Sequence, residues 1–196
     1  MSIDLDGFWQ SLAKAQVDIS NLNTSELASV LIAITDSKHD PKLILTRRAE
    51  SMNTHSGQVA FPGGRWEAGD PSLAYTALRE SKEEIALSPD VVEIKGMLQA
   101  RKSYFGLWVY PFVARVPEVL DLKKNPAEID SIFTVPLRFF LETEPSRVDK
   151  VERQGVRYQV PAWYFEDYEI WGLTAFILQD MLSLLSFEQK PSTDLT

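Results

Sequence analysis

Three glutamates near the middle of this 196-residue sequence have the type and spacing of metal ligands. Glu80, Glu83 and Glu84 fall within two turns of a predicted helix. At about 100° per residue, Glu83 and Glu84 lie about 60° and 40° to either side of Glu80, so the three carboxylates share one narrow face and repel each other. A divalent cation removes that repulsion, and ligands that are all oxygen suit Mg²⁺ or Mn²⁺. The spacing predicts a site for one of these cations; the alternative is an acidic helix face exposed to solvent.

The ends of this helix can be predicted from the residues around it. Asp70 is a good N-cap, and Pro71 is placed at the first helical position, where its missing N–H costs nothing. Arg79 lies one turn before Glu83 and can pair with it or reach back toward Asp70. Ahead of the helix, Gly64 allows close approach of the backbone to a ligand, and a carbonyl there could supply a further oxygen to the metal. An arc of small and apolar residues beside the glutamates predicts that the helix packs against the rest of the protein: Ala74, Ala77, Leu78, Ser81 and Ile85.

The run from residue 63 to residue 87, GGRWEAGDPSLAYTALRESKEEIAL, resembles the Nudix box. That motif runs glycine, five residues, an acid, seven residues, then Arg-Glu-apolar-x-Glu-Glu-x-Gly-apolar. Here eight residues separate the acid, Asp70, from Arg79. Asp70 also stands for the usual Glu, Ser81 for an apolar residue and Ala86 for the usual Gly. None of these departures removes a carboxylate, so the resemblance implies a metal-dependent hydrolase of a nucleoside diphosphate linked to another moiety.

A second block, LILTRRAESMNTHSGQVAFPGG from residue 43 to residue 64, resembles the signature that precedes the box in coenzyme A pyrophosphatases. The eight-residue spacing is similar to that subgroup as well. Asn53 departs from it, because an arginine is usual at this position. The resemblance implies cleavage of coenzyme A or an acyl derivative to 3′,5′-ADP and 4′-phosphopantetheine or its acylated form. The matching residues are Thr46, Arg48, Ala49, Gly57, Phe61, Pro62, Gly63 and Gly64.

The same resemblance suggests which residues serve the site. Glu80, Glu83, Glu84 and Gly64 are the implied metal ligands, and Glu83 or Glu128 is the implied general base, with Asp130 as the alternative to Glu128. The resemblance also implies a catalytic role for Arg79. The candidates for substrate binding are Arg48, Asn53, His55, Gly57, Phe61, Arg65 and Lys102.

Several of these residues also have ordinary structural explanations. His55 can order its loop instead of touching a phosphate, and Arg65 or Lys102 alone can be a solvated surface residue. Tyr104 and Phe105 can stack on an adenine ring or can simply be rim residues. Two other functions stay open: hydrolysis of ADP-ribose or a dinucleoside polyphosphate, and a non-catalytic ligand-binding module on the same fold.

Composition limits the function classes. A net charge of −8 argues against nonspecific nucleic-acid binding, which needs a basic surface. The absence of cysteine excludes disulfides, thiolate metal sites and a cysteine nucleophile, and it fits a reducing compartment. The N-terminus lacks the basic start and apolar run of a secretory signal, and no apolar run approaches the length of a membrane span. We therefore expect a cytoplasmic monomer or homodimer with no membrane or nucleic-acid partner, folded as one domain over residues 1–196.

The pattern of apolar residues predicts an α+β fold. An amphipathic helix is predicted at 5–16 with Phe8, Trp9 and Leu12 on its apolar side, and a long helix at 171–185. Pro111 suggests a bend or an edge position in its strand, and Gly172 is expected to allow close contact between helix and sheet. The tail, 189–196, is expected to be frayed. The predicted strands cover 28–35, 43–48, 59–61, 91–99, 107–116, 132–135 and 156–165. The family resemblance implies a mixed β-sheet sandwiched between helices.

Overall fold

A computed structural model describes residue 3 and residues 5–14, 16–50, 57–153 and 155–188. Within these residues the chain forms four α-helices and eleven strands. The helices are α1 (Asp6–Ser11), α2 (Leu73–Ile85), α3 (Leu137–Glu142) and α4 (Gly172–Glu188). The strands are β1 (Leu27–Thr35), β2 (Lys42–Arg48), β3 (Val59–Ala60), β4 (Gly63–Arg65), β5 (Glu93–Met97), β6 (Arg101–Lys102), β7 (Trp108–Val116), β8 (Ile129–Pro136), β9 (Arg147–Arg153), β10 (Val156–Phe165) and β11 (Tyr168–Ile170).

The main sheet is mixed, and β1 lies at its centre. Its strands follow the order β3-β2-β1-β7-β5, with β4 also paired to β1, β6 to β7 and β8 to β2. β1 runs parallel to β7 along its whole length, from Leu27 opposite Trp108 to Thr35 opposite Val116, and antiparallel to β2 and β4. Its sequence, LASVLIAIT, is a nearly continuous apolar run, as a strand covered on both faces requires.

Two hydrophobic cores cover the two faces of this sheet. Alternate residues of β1 point to opposite faces: Ile32 belongs to the core under α1, α3 and α4, and Leu31 belongs to the core under α2. On the α2 side, Leu73, Ala77 and Ile85 are buried against the sheet. This arrangement confirms the predicted α+β fold with a mixed sheet between helices.

The N-terminal helix is shorter than the predicted 5–16. α1 ends at Ser11, and the backbone then becomes extended at Leu12. Ala13 forms a bridge to Met97 of β5, whose N–H donates to the Ala13 carbonyl. The chain therefore leaves the helix because its backbone pairs with the sheet. Phe8 is fully buried, as its place on the apolar side of the helix predicts.

Pro111 lies in an interior strand, so the predicted edge position is wrong. β7 is flanked by β1 on one side and by β5 and β6 on the other. The Pro111 carbonyl accepts from Leu98 N–H at 3.0 Å, just where the neighbouring chain leaves β5 at Met97 and before β6 begins at Arg101. A proline is tolerated here because the ladder is interrupted beside it.

The C-terminal part contains a second, three-stranded sheet in the order β11-β10-β9. Sequence patterns predicted β10 but missed β9, β11 and the short α3. Gly172, at the start of α4, has φ +67°, and a side chain there would meet nothing within 4 Å. Gly172 is therefore needed for its backbone conformation and not for the predicted close packing. Within the described residues, no helix is long and apolar enough to cross a membrane.

Candidate active site

The helix that carries the three glutamates begins later than predicted. Ser72 is the N-cap of α2, and its hydroxyl accepts from Tyr75 N–H at 3.1 Å. Asp70 was predicted for that role but is buried, and its carboxylate is used elsewhere. It accepts from Arg79, from Thr76 Oγ1 at 2.9 Å and from Glu67 N–H at 3.1 Å. Burial alone would raise the pKa of Asp70, but these hydrogen bonds outweigh it and lower the pKa.

Arg79 connects the start of the box to its glutamates. Its Nε and Nη2 donate to the two oxygens of Asp70 at 3.0 and 3.1 Å. Its Nη1 reaches Glu80 at 3.0 Å and Glu83 at 3.2 Å, and Nη2 also donates to the Arg65 carbonyl at 3.0 Å. Both predicted pairings of Arg79, with Glu83 and with Asp70, are therefore present. The hydrogen bonds to Asp70 raise the pKa of Arg79, so its charge is permanent.

Glu84 is the most buried of the three glutamates, with its side chain 2% exposed. Gly63 N–H donates to Oε2 at 3.0 Å, and Arg48 Nη1 donates to Oε1 at 3.1 Å. Burial, together with the charges of Glu80 and Glu128, nevertheless raises the pKa of Glu84 to about 7. The ionised form of Glu84 is therefore disfavoured by its surroundings in this structure.

Glu80 lies against the backbone of Gly64. A Cβ on Gly64 would overlap the Glu80 carboxyl group, so any larger residue at position 64 would displace this carboxylate. Burial raises the pKa of Glu80, and the charges of Glu83 and Glu128 act in the same direction. Glu83, in contrast, is 53% exposed and is held by Arg79. The three glutamates therefore differ in burial, although they share one helix face.

The predicted acid Glu128 is brought close to this helix. Its charge raises the pKa of both Glu80 and Glu84, and its Oε1 accepts from Asn125 Nδ2 at 3.2 Å. Asn125 N–H in turn donates to the Glu84 carbonyl at 2.8 Å, which ties the loop to the end of the helix. Sequence reasoning missed Asn125, although an Asn-Pro pair is a turn signal. Asp130, the alternative acid, forms an ion pair with Arg47 instead, so it is not free to act with the glutamates.

In the part of the chain that the structure describes, no three acidic or histidine side chains converge closely enough to hold a metal ion as they stand. These carboxylates instead form ion pairs with arginines: Arg79 binds Glu80 and Glu83, while Arg48 binds Glu84. The donors are all carboxylate oxygens, and burial raises the pKa of two of them. This donor set fits Mg²⁺ or Mn²⁺ in chemistry and in charge.

The remaining predicted residues lie in different surroundings. Arg65 and Lys102 line one small cavity of about 250 Å³. Phe61 is 3% exposed and packs in the core, so its ring is not available to a ligand. Gly57 has φ +68° in the turn before β3, where its N–H donates to the Arg48 carbonyl. Asn53 and His55 lie outside the described residues, as does the predicted frayed tail.

Comparison with known proteins gives consistent matches. The sequence profile of the NUDIX domain matches residues 26–154. Proteins named uncharacterized Nudix hydrolase NudL, from Yersinia pestis (strain Pestoides F) and Yersinia pseudotuberculosis serotype O:1b (strain IP 31758), are 38% identical over 163 residues, covering 83% of this chain and 81% of theirs. The crystal structure of MutT protein from Methanosarcina mazei Go1 aligns with a TM-score of 0.53 and 19% identity, over 84% of this chain and 95% of that one. A MutT/nudix family protein from Enterococcus faecalis aligns with a TM-score of 0.53 and 16% identity, over 88% of this chain and 64% of that one. At these identities the two structures show a shared fold.

Proposed function

This chain belongs to the Nudix hydrolase family, and we propose that the diphosphate it hydrolyses is that of coenzyme A or an acyl-coenzyme A. Membership makes the chain a pyrophosphohydrolase, and members of the family generally use a divalent metal ion. The names of its relatives give no substrate, so the choice of coenzyme A as the substrate is our own inference. The products would be 3′,5′-ADP and 4′-phosphopantetheine or its acylated form.

The observation that carries this proposal is that two sequence blocks, which overlap at residues 63 and 64, meet at Glu84. The box supplies Glu84 itself. The block that resembles the coenzyme A signature supplies the Arg48 guanidinium at 3.1 Å, and Gly63, in the overlap of the two blocks, donates its N–H at 3.0 Å. A signature that contacts a proposed metal ligand directly is well placed to set which nucleotide lies against the metal. This contact supports a common function for the two blocks.

Glu80, Glu83 and Glu84, with the Gly64 carbonyl, are the proposed ligands of Mg²⁺ or Mn²⁺. When bound, the cation neutralises charge on the diphosphate oxygens and lowers the pKa of a coordinated water. Arg79 would give up its hydrogen bonds to the glutamates when these bind the cation. Its two hydrogen bonds to Asp70 would keep the guanidinium in place. The strong pairing with Asp70 lets Arg79 release the glutamates without leaving the site.

Glu128 is the proposed proton acceptor, with Glu83 as the alternative. Glu128 is partly buried, is oriented by Asn125 and lies near enough to Glu80 and Glu84 to raise the pKa of each. A carboxylate in this position can take a proton from a water held against the other acids. Glu83 is more exposed and has Arg79 as its partner, so it is better suited to ligate than to accept a proton.

Arg48 is the proposed contact for the phosphates. Its Nη1 pairs with Glu84, but its Nε is buried and has no acceptor among the described residues. A buried guanidinium donor without an acceptor costs free energy unless a ligand supplies one. The Arg48 side chain as a whole is 18% exposed, so a phosphate of the bound diphosphate can approach the exposed part of the guanidinium, a group that matches phosphate geometry well.

The test is a panel of diphosphates incubated with the protein and Mg²⁺ or Mn²⁺, followed by identification of the products. We expect coenzyme A or an acyl-coenzyme A to be cleaved fastest, with release of 3′,5′-ADP. Glu80→Gln serves as the control that shows the activity to be the protein's own. Faster turnover of ADP-ribose than of coenzyme A would overturn the substrate assignment and leave the hydrolase in place.

Asn53 gives a second test of the same assignment. The coenzyme A signature usually has an arginine here, and asparagine offers hydrogen bonds but no charge. Asn53→Arg should therefore lower KM for coenzyme A by a factor on the order of ten, as expected for one regained charge-assisted contact. No change in KM would show that residue 53 does not approach the substrate.

A further inference from the structure

The segment that carries Glu128 is attached to the rest of the site through its backbone. On one side, Asn125 N–H donates to the carbonyl of Glu84, a proposed metal ligand, at 2.8 Å. On the other side, Ala49 N–H donates to the Glu128 carbonyl at 2.8 Å. Ala49 directly follows Arg48, the last residue of β2. The backbone of this segment is therefore fixed between the end of α2 and the end of β2.

The Glu128 side chain is held in a different way. Within the described part of the chain, the Asn125 amide is the only group that donates to this carboxylate, from Nδ2 to Oε1 at 3.2 Å. The carboxylate lies close to those of Glu80 and Glu84, because its charge raises the pKa of both. A fixed backbone still leaves a glutamate free to rotate about its side-chain bonds. The Asn125 amide therefore determines where the Glu128 carboxylate lies.

The turn that contains Asn125 does not need this amide for its own geometry. Asn125 Oδ1 accepts from Ala127 N–H at 3.2 Å, and the Asn125 carbonyl accepts from the N–H groups of Glu128 and Ile129 at 3.1 and 2.8 Å. Aspartate or serine can supply the same kind of side-chain oxygen to a turn. Asparagine adds an N–H donor to that oxygen, and this donor is the part of the side chain that reaches Glu128.

We infer that Asn125 is a positioning residue for hydrolysis: its side-chain amide holds the Glu128 carboxylate within reach of the attacking water, and its backbone N–H keeps that carboxylate aligned with Glu84. A proton acceptor must lie within hydrogen-bond distance of the proton that it takes, and a displacement of about 1 Å can cost about a hundredfold in rate. The inference rests on the proposed function, because it takes Glu128 as the proton acceptor. Asn125 acts on the reaction through Glu128.

Asn125→Ser tests the amide, because serine keeps an oxygen for the turn and lacks the donor. The substrate is the diphosphate that the unchanged protein cleaves fastest. We expect kcat to fall about ten- to hundredfold and KM to change by about threefold or less, since the proton acceptor is displaced while the phosphate contacts stay. A kcat within about twofold of the unchanged value would overturn the inference. If Asn125→Ser loses the circular dichroism spectrum of the folded protein, Asn125→Asp takes its place with the same expectation.

A double-mutant cycle distinguishes positioning from a general effect on the fold. A residue that acts only through Glu128 has no further effect once that carboxylate is gone. We therefore expect Asn125→Ser to change kcat by about twofold or less in the Glu128→Gln background. A further loss of about tenfold in that background would assign the effect to the fold and overturn the inference.

The same measurements separate failure of this inference from failure of the proposed function. A loss of kcat in Glu128→Gln together with full turnover in Asn125→Ser would overturn the inference and leave the proposed function in place. A protein that fails to cleave coenzyme A, but shows the expected cycle with another diphosphate, would reject the proposed substrate and support the inference. Full turnover in Glu128→Gln would overturn the inference and the assigned proton acceptor together.

Asn23 provides a matched control, because it repeats this arrangement just before β1. Asn23 Nδ2 donates to Glu26 Oε1 at 2.9 Å, Asn23 Oδ1 accepts from Ser25 Oγ at 2.8 Å, and the Asn23 carbonyl accepts from Glu26 N–H at 3.0 Å. Glu26 is exposed and is not among the proposed metal ligands or proton acceptors. Asn23→Ser should therefore leave kcat unchanged. A loss of kcat as large as that of Asn125→Ser would overturn the inference.

Nuclear magnetic resonance in EDTA tests the contact itself, without metal or substrate. The side-chain amide signals of Asn125, identified by their absence in Asn125→Ser, should shift in Glu128→Gln and stay in place in Glu26→Gln. The signals of Asn23 should respond to Glu26→Gln and not to Glu128→Gln. Asn125 signals that do not shift in Glu128→Gln would show that the amide does not hold this carboxylate, which would overturn the inference.

Discussion

At the scale of single residues, the notable feature is a carboxylate kept in an unfavourable place. Glu84 is buried, with one arginine and one backbone N–H as partners, and its pKa is still raised to about 7. If Glu84 served only the fold, an uncharged residue of similar size could replace it with little loss of stability. The free-energy cost of keeping Glu84 ionised is offset if the carboxylate binds a cation, because the cation stabilises the ionised form.

Glu84→Gln should therefore separate activity from folding. We expect kcat to fall by at least roughly two orders of magnitude, since an anionic metal ligand is lost while the shape is kept. The circular dichroism spectrum should be unchanged. Lys82→Gln, on the same helix and exposed, is the control and should keep normal turnover. Full turnover of Glu84→Gln at saturating Mg²⁺ would remove Glu84 from the metal site.

The raised pKa of Glu84 also predicts how stability depends on pH. A carboxyl group whose pKa is higher in the folded protein stabilises the fold fully below its unfolded pKa, 4.5, and loses that contribution as pH rises toward about 7. In EDTA, the free energy of unfolding should fall relative to Glu84→Gln by on the order of 1–3 kcal/mol between pH 4.5 and pH 7.5. Urea unfolding of both proteins at the two pH values measures this difference. If the difference in unfolding free energy between the two proteins were the same at both pH values, the raised pKa of Glu84 would be contradicted.

At the scale of elements, the end of α2 explains one departure from the Nudix box. Ala86 has φ +55° and ψ +26°, the left-handed conformation that glycine adopts most readily, and its N–H donates to the Lys82 carbonyl at 3.0 Å. Glycine is the usual residue of the motif at this position, and it is also the usual residue at such a helix end. The helix end therefore has the left-handed geometry of the motif, although alanine, not glycine, occupies position 86.

Ala86→Gly should raise the free energy of unfolding by about 0.5–1 kcal/mol, because the left-handed conformation no longer carries the strain of a Cβ. For a chain of this length the melting temperature should rise by about 1–4 °C. Ala77→Gly, buried in the middle of the same helix, should act in the opposite direction. A lower melting temperature for Ala86→Gly would show that the end of α2 gains more from the Ala86 methyl than it loses in strain.

Sequence patterns predicted the elements that follow local rules and missed those set by distant contacts. β1 was found from its run of branched apolar residues, and α4 was found because its apolar residues recur at helical spacing. The N-cap was misplaced because the Asp70 carboxylate is taken by Arg79, nine residues later, a contact that capping rules do not include. β9, with the sequence RVDKVER, was missed because its two apolar residues, Val148 and Val151, are three positions apart and show no alternation. The glutamates were proposed as ligands from their spacing together with the resemblance to the Nudix box, whereas the part played by Arg48 at Glu84 needed the fold.

At the scale of the whole molecule, the concentrated acids near α2 should couple metal binding to stability. A ligand that binds only the folded protein at 100 times its Kd adds about 2.7 kcal/mol to stability, which raises the melting temperature of a protein this size by about 5–10 °C. We expect such a rise with Mn²⁺ and its reversal by EDTA. The double variant of Glu80→Gln and Glu84→Gln is the control and should show little rise. An equal rise in that variant would place the stabilising metal elsewhere.

The parallel pairing of β1 with β7 has a consequence for the order in which the molecule can be made. Residues 27 and 108 are opposite each other, so these partners are 81 positions apart in the sequence (108 − 27 = 81). α2 is complete in the nascent chain at Ile85, but β7 ends 31 residues later, at Val116 (116 − 85 = 31). At about 5–20 residues per second, translation needs about 2–6 s to supply the missing strand. During that interval β1, a nearly continuous apolar strand, has one edge unpaired, and an unpaired strand edge can pair with another chain.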